Sequence, residues 1–197
     1  MSSQPVIKAL LGPSQPGPMK RTPKGIAYFS NGFDERKPKK VKKAIAWLKK
    51  RNIPSYVIDE FEQYAEAFSD PAHIPTVLDA AFDEVTKLWL ACGPQSKAAK
   101  VARSIDPHSI TVTVEPCSFW VPNPGVYANG CAELDGKTIR MVVCAVHSIS
   151  QPENASLATF EKLSMWEIGN CFSIRADYKV HSVADEIGNR SPCDKIH

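Results

Sequence analysis

The sequence lacks a run of about eighteen apolar residues, the length that a helix needs to cross a bilayer. Its amino-terminal end is also polar, with Ser2, Ser3 and Gln4, instead of a basic segment that leads into an apolar stretch. We therefore expect a soluble chain without a transmembrane segment. The expected compartment is the cytoplasm, and secretion after removal of a signal is the alternative.

Several catalytic motifs are missing as well. The chain has no GxSxG nucleophile motif and no glycine-rich phosphate loop. Its six cysteines do not form the two short-spaced pairs of a zinc ribbon, and six is a sparse number for 197 residues. We expect free thiols, with disulfide bonds as the alternative.

Acidic residues are scarce at the start of the chain. Residues 1–51 hold 13 Lys and Arg against two acids, for a charge of +11, whereas residues 52–197 carry −8. Five lysines lie on the polar part of a helix predicted within residues 36–51, namely Lys39, Lys42, Lys43, Lys49 and Lys50. The ordinary interpretation is a solvated helix face, and the alternative is nonspecific binding of nucleic acid or another polyanion, because no base-reading motif or stacking aromatic is evident.

The pattern of apolar residues predicts the elements of the fold. Prolines and glycines indicate an extended arm over residues 1–36, with aromatic residues near its end as an anchor, and a single domain over 37–197. Helical periodicity predicts helices over residues 37–51 and 55–68, a third that ends near Cys92, and a short one over 96–103.

Alternation of apolar and polar residues begins at Ser109 and predicts a half-buried strand, followed by an edge segment with several prolines. A turn at Asp135-Gly136 then predicts a β-hairpin in which Leu134 pairs with Lys137 and Ala132 faces the core. A long helix follows from near Ser156 to about residue 176. The fold class is therefore α+β, with amino-terminal helices, a small mixed or antiparallel sheet with a hairpin, and a long carboxy-terminal helix.

The long helix carries the sequence WEIGN at Trp166–Asn170, and EIGN recurs at Glu186–Asn189. With the preceding helices, strand, proline-rich edge and hairpin, residues 75–190 resemble the zincin metalloprotease scaffold. In that family a backing helix and a small twisted sheet precede the active-site helix, whose HExxH motif binds zinc. The resemblance places Glu167 at the general base, Trp166 at the first ligand and Asn170 at the second.

The resemblance also implies that the zinc site has been lost. Indole offers only an N–H donor, and an amide oxygen is a poor zinc ligand beside imidazole. His181, Asp185 and Glu186 are candidates for the third ligand that zincins take from beyond the helix. We expect no metal and no cofactor, with zinc as the alternative, and a remnant cleft marked by Glu167, Asn170, His181 and Glu186.

An ordinary interpretation of the same residues is that Glu167 and Asn170 share an exposed or capped helix face while Trp166 packs in the core. On the resemblance, we expect a zincin-like domain that acts by binding a protein or peptide partner, and not an active metallopeptidase. The alternatives are a basic-arm protein that binds a polyanion and a metal-dependent hydrolase with an unusual ligand set.

Overall fold

The computed structural model describes residues 17–30, 38–55, 58–59, 62, 72–115, 119–121, 126–128, 130–135, 138–144, 160–177 and 193. The helices are α1 (Pro38–Lys49), α2 (His73–Leu90), α3 (Lys97–Ser104) and α4 (Phe160–Arg175), with a short 3₁₀ helix at Pro107–Ser109. The strands are β1 (Lys20–Arg21), β2 (Ala27–Ser30), β3 (Ile110–Glu115), β4 (Phe119–Val121), β5 (Val126–Ala128), β6 (Gly130–Asp135) and β7 (Thr138–Cys144).

Five of the strands form one mixed sheet in the order β1-β2-β3-β7-β6, and β4 pairs with β5 separately. The inner strands β2, β3 and β7 run parallel, whereas β1 and β6 pair antiparallel with their neighbours at the two edges. The predicted α+β class with a hairpin and a carboxy-terminal helix is confirmed. The sheet is mixed because long helical connections return the chain to β3 in the direction of β2.

Strand β2 is an inner strand of this sheet. Its residues Ala27 and Tyr28 are buried, as is Ile26 before it. A tight turn precedes it, in which Gly25 has a φ of 103° and the Thr22 hydroxyl accepts the Ile26 N–H at 3.1 Å. The sheet therefore includes part of the segment that we predicted as an arm over residues 1–36.

The core lies between the sheet and helices α2 and α4. Ile110, Val112 and Val114 of β3 are fully buried and alternate with partly exposed residues, as the sequence pattern predicts. Phe172 of α4 joins the two helices, since its ring centroid lies 5.4 Å from those of Phe82 and Trp89 on α2. These edge-to-face contacts fix α4 against α2.

The hairpin β6–β7 has a different register from the predicted one. Leu134 pairs with Ile139 and Cys131 pairs with Val142, so the two residues between the strands are 136 and 137. A shift of two residues preserves the alternation of faces, and in agreement with the predicted face Ala132 packs against the core while Glu133 is exposed. Ala128 lies outside the hairpin and pairs with Phe119.

The helices agree with the predicted ones where the structure describes them. Helix α1 matches the helix predicted over residues 37–51, and Ser96 caps α3 by accepting the Ala99 N–H at 3.0 Å. Of the helix predicted over 55–68, the four described residues (55, 58, 59 and 62) are helical. The start predicted near Ser156 lies outside the described residues. None of the helices in the described ranges is long and apolar enough to cross a membrane.

A disulfide bond joins Cys92, just after α2, to Cys193 near the carboxyl end, with 4.9 Å between their Cα atoms. Cys171 is a free, buried thiol. The predicted free thiols are therefore wrong for Cys92 and Cys193, and the side chains of the other three cysteines lie outside the described part. The bond closes a sequence separation of 101 residues.

Because the bond closes a long loop, its removal should lower the stability of the fold. We expect Cys193→Ser to lower the free energy of unfolding by about 2–5 kcal/mol, because the unfolded chain gains entropy when a long loop opens. Urea denaturation without reductant measures the change, and wild-type protein in reductant is the control, which should match the variant. Labelling of both cysteines by a thiol reagent in unfolded, unreduced wild-type protein would contradict the bond.

Candidate functional site

Helix α4 is buried around most of its circumference. From Leu163 to Ser173 its residues are buried, apart from the half-buried Met165 and Trp166. Helix α2 packs along one side, and the hairpin β6–β7 packs along another. A helix so enclosed is expected to be apolar, so any polar residue within it needs a partner or a role.

Four polar residues of α4 are nevertheless buried, and they are spaced three apart. This polar stripe consists of Ser164, Glu167, Asn170 and Ser173, with exposed fractions of 0%, 3%, 4% and 0%. Among the described residues, Thr22 is the one other buried polar residue. Since burial of a polar group is unfavourable without compensation, the concentration of four on one helix marks this as the candidate site.

Glu167 and Asn170 form the centre of the polar stripe. The Asn170 amide nitrogen Nδ2 donates a hydrogen bond of 3.0 Å to Oε2 of Glu167. Burial raises the pKa of the Glu167 carboxyl to about 7, and the hydrogen bond from Asn170 opposes the rise only in part. Near neutral pH the carboxyl therefore divides between its charged and neutral forms.

Asn170 can serve both of these forms. Its oxygen Oδ1 is buried and has no hydrogen-bond partner among the described residues. The charged carboxylate accepts from Nδ2, whereas a neutral carboxyl carries a proton that Oδ1 accepts once the amide turns over. The pair can thus remain bonded when Glu167 gains or loses a proton.

The carboxyl is held between α4 and the edge strand β6. Its side chain packs on the backbone of Gly130, the first residue of β6, so that a β-carbon at position 130 would lie 2.7 Å from both Cγ and Cδ of Glu167. A side chain at position 130 would therefore force the Glu167 carboxyl to shift, whereas glycine permits this close approach. The strand and the helix therefore meet at the candidate site.

Cys171 follows Glu167 by one helical turn and is fully buried. Burial, together with the nearby charge of Glu167, raises the pKa of its thiol far above the ordinary value. The thiol stays protonated at neutral pH, and only the thiolate is a good nucleophile. Cys171 therefore contributes packing to the site and has no activated sulfur.

The structure brings only some of the predicted site residues together. Glu167 and Asn170 share a helix face, but that face is buried, so the interpretation of an exposed or capped face is wrong. Trp166 is half-buried and so is not enclosed in the core. His181 and Glu186 lie outside the described residues.

Within the described ranges, no group of three or more His, Cys, Asp and Glu side chains is arranged to hold a metal ion. Asn170, at the second ligand position of the zincin resemblance, is engaged with Glu167 instead. The residues present at Trp166 and Asn170 do not fit a zinc ion, because neither supplies the imidazole or thiolate that zinc prefers.

Sequence reasoning missed the rest of the polar stripe and its contact with β6. Ser164 and Ser173 follow the same spacing of three as Glu167 and Asn170, and the Ser173 hydroxyl donates to the Gly169 carbonyl at 3.1 Å. A search for polar residues at i, i+3, i+6 and i+9 would have found the stripe. The approach of Gly130 could not be read from the sequence, since it depends on tertiary packing.

Comparisons with models of protein families, with curated proteins and with solved structures find no match to the chain.

The raised pKa of Glu167 predicts an unusual pH dependence of stability. Because the folded-state pKa of about 7 exceeds the ordinary value of 4.5, the folded state binds more protons between these values, and stability falls as pH rises through them. Glu167→Gln cannot ionise. We expect the free energy of unfolding of this variant, relative to that of the wild type, to increase by about 3 kcal/mol from pH 4.5 to pH 7.5.

Urea denaturation at a series of pH values measures the difference. Ile168→Val is the control, since it removes a methylene beside Glu167 in the buried part of α4 without removing an ionisable group, and its difference from the wild type should be the same at every pH. A constant difference between Glu167→Gln and the wild type across this range would mean that Glu167 titrates alike in the folded and unfolded states.

Proposed function

We propose that the protein is a zincin-like domain that has lost its zinc site and acts by binding a protein or peptide partner beside the polar stripe. The observation that carries the proposal is the bond between Asn170 and Glu167. In the zincin resemblance, residue 170 should hold the metal and Glu167 should act on metal-bound water. Here the two side chains engage each other, and burial leaves only 3% of Glu167 exposed.

The order of elements supports the same proposal. Helix α2 and the small mixed sheet precede α4 in the chain, and α2 packs against α4. This order agrees with a backing helix and a twisted sheet before an active-site helix. The half-buried Trp166 fills the first ligand position with a ring that offers no lone pair for a metal.

Strand β6 offers the surface for a peptide partner. It is the last strand of the five-stranded sheet, and its partner in that sheet is β7. Since Asp135 and Thr138 pair across a two-residue turn, the N–H and C=O groups of Gly130, Ala132 and Leu134 point away from β7. An extended peptide can add to such an edge through its main chain.

The proposal predicts that removal of one outward N–H weakens peptide binding. Ala132→Pro removes that donor, and proline is tolerated at an edge position whose N–H faces outward. Peptides selected from a random displayed library on the full chain are to be measured by fluorescence anisotropy. We expect Ala132→Pro to weaken their binding at least about tenfold, as the loss of a buried main-chain hydrogen bond implies.

Ala132→Gly is the matched control, because it changes the side chain and keeps the N–H. Amide hydrogen exchange supplies a readout in the wild-type protein: a bound peptide should slow exchange at Gly130, Ala132 and Leu134 and leave Cys131 and Glu133 unchanged. Equal affinity for wild type and Ala132→Pro, without this alternating protection, would place the partner elsewhere.

The zincin resemblance predicts that a zinc site can be rebuilt. We expect the double variant Trp166→His and Asn170→His to be stabilised by zinc, since histidines at i and i+4 on a helix supply two ligands and a third is expected from His181. Thermal unfolding with and without zinc measures the effect. The addition of His181→Ala should reduce it.

The control is a second double variant, Asp83→His with Lys87→His, which places two histidines at the same spacing on the surface of α2. It measures how much zinc stabilises any pair of histidines at this spacing. An equal gain in both variants would remove the support for a remnant zincin site. Zinc at one ion per chain in wild-type protein purified without chelator would instead favour the alternative of a metal-dependent hydrolase.

A further inference from the structure

Helix α1 presents a cationic face to solvent. Of the side chains that the structure describes on this helix, Leu48 is fully buried and Ile45 is half-buried. Lys42, Lys43 and Lys49 are exposed, and Lys50 is exposed directly after the helix. The helix therefore attaches to the domain by its apolar side and turns its lysines outward.

The charge of the segment that contains α1 is high for its length. Residues 38–51 carry six lysines and one arginine and no acid, for a net charge of +7. Lys49 forms an ion pair of 2.6 Å with Glu62, with both side chains about half exposed. An exposed pair of this kind contributes little and exchanges readily, so an anionic ligand can displace it.

An exposed aromatic ring lies within this cationic face. Trp47 has 44% of its surface exposed, although it belongs to a helix with a buried apolar side. The Arg51 guanidinium lies over the indole, with Cζ at 3.7 Å from the ring centroid. Asn52, with a φ of 51°, ends the turn that carries Arg51. The sequence predicts no stacking aromatic beside the lysines, whereas the structure places the exposed ring of Trp47 among them.

A cationic track with an exposed aromatic ring is the combination that binds single-stranded nucleic acid. Phosphates contact the lysines, while a base stacks on an aromatic ring backed by arginine. A duplex keeps its bases stacked inside and can use the lysines alone. An amphipathic helix binds a lipid surface firmly by inserting its apolar face, and the apolar side of α1 is turned into the protein at Leu48.

We propose that α1, through Lys42, Lys43, Lys50 and the stacked pair Trp47–Arg51, binds single-stranded nucleic acid without sequence preference. This surface shares no residue with the polar stripe or with strand β6. The two proposals are therefore independent, and either can fail alone.

The test uses the full chain and a fluorescein-labelled oligothymidine, with anisotropy measured at several salt concentrations. Each phosphate contact on a single strand contributes a slope of about 0.7 in log K against log salt. We expect Lys42→Gln, Lys43→Gln and Lys50→Gln together to reduce the slope by about 2, as three contacts imply. Trp47→Ala should weaken binding about tenfold at unchanged slope, and Trp47→Phe should retain most of the affinity.

The matched control removes three positive charges elsewhere, by Lys87→Gln, Lys97→Gln and Lys100→Gln on α2 and α3. It should leave affinity and slope close to those of the wild type. Equal losses in the control and the α1 variant would overturn the proposal in favour of attraction by net charge. An unchanged affinity of Trp47→Ala for oligothymidine would also overturn the proposal. The same holds if the protein binds duplex as tightly as single-stranded nucleic acid.

Vesicles that contain about one third anionic lipid test the membrane alternative, since anionic surfaces also attract lysine clusters. We expect binding to such vesicles to be weak and insensitive to Trp47→Ala. Vesicle binding that depends on Trp47, in the absence of oligothymidine binding, would overturn the nucleic-acid proposal. Thermal unfolding of each variant checks that the exposed substitutions leave the fold intact.

Discussion

The contact between the Glu167 side chain and the Gly130 backbone determines how the hairpin and α4 can meet. A β-carbon at position 130 would force the Glu167 side chain to move, so the present position of the carboxyl against the edge strand depends on glycine. The same helix is held from the other side by Phe172, whose ring packs on Phe82 and Trp89. Helix α4 is thus fixed between α2 and β6, and this enclosure desolvates Glu167 and raises its pKa.

Local patterns predicted the elements better than their placement. The alternation in β3 was enough to predict its buried face, because a period of two is a direct consequence of strand geometry. The hairpin register was missed because Gly136 fits both Asp135-Gly136 and Gly136-Lys137 as the turn, and only the tertiary contacts of β6 choose between them. Strand β2 is four residues long and follows a segment rich in proline and glycine, so its place in the sheet had no clear local signal.

The residues of the candidate site could be predicted from the sequence, but their burial could not. A motif match points to Glu167 and Asn170, but it carries no information on burial, which is set by α2 and the hairpin. The disulfide is a similar case, since residues 101 apart in sequence have no pairing signal before the fold is known.

The presence of a carboxyl at position 167 is itself an argument for function. A glutamine there would keep the shape of the side chain and could bond to Asn170, and it would avoid a loss of stability of about 3 kcal/mol above neutral pH. Among the described residues, burial and the Asn170 hydrogen bond are what act on the Glu167 pKa, and no cation compensates for the burial. A buried acid without such a partner is unfavourable as structure, and groups of this kind are frequent at functional sites. Because burial against Gly130 raises the pKa of Glu167 to about 7, any change in the Gly130 contact would change the solvation of the carboxyl and shift the balance between its two protonation states.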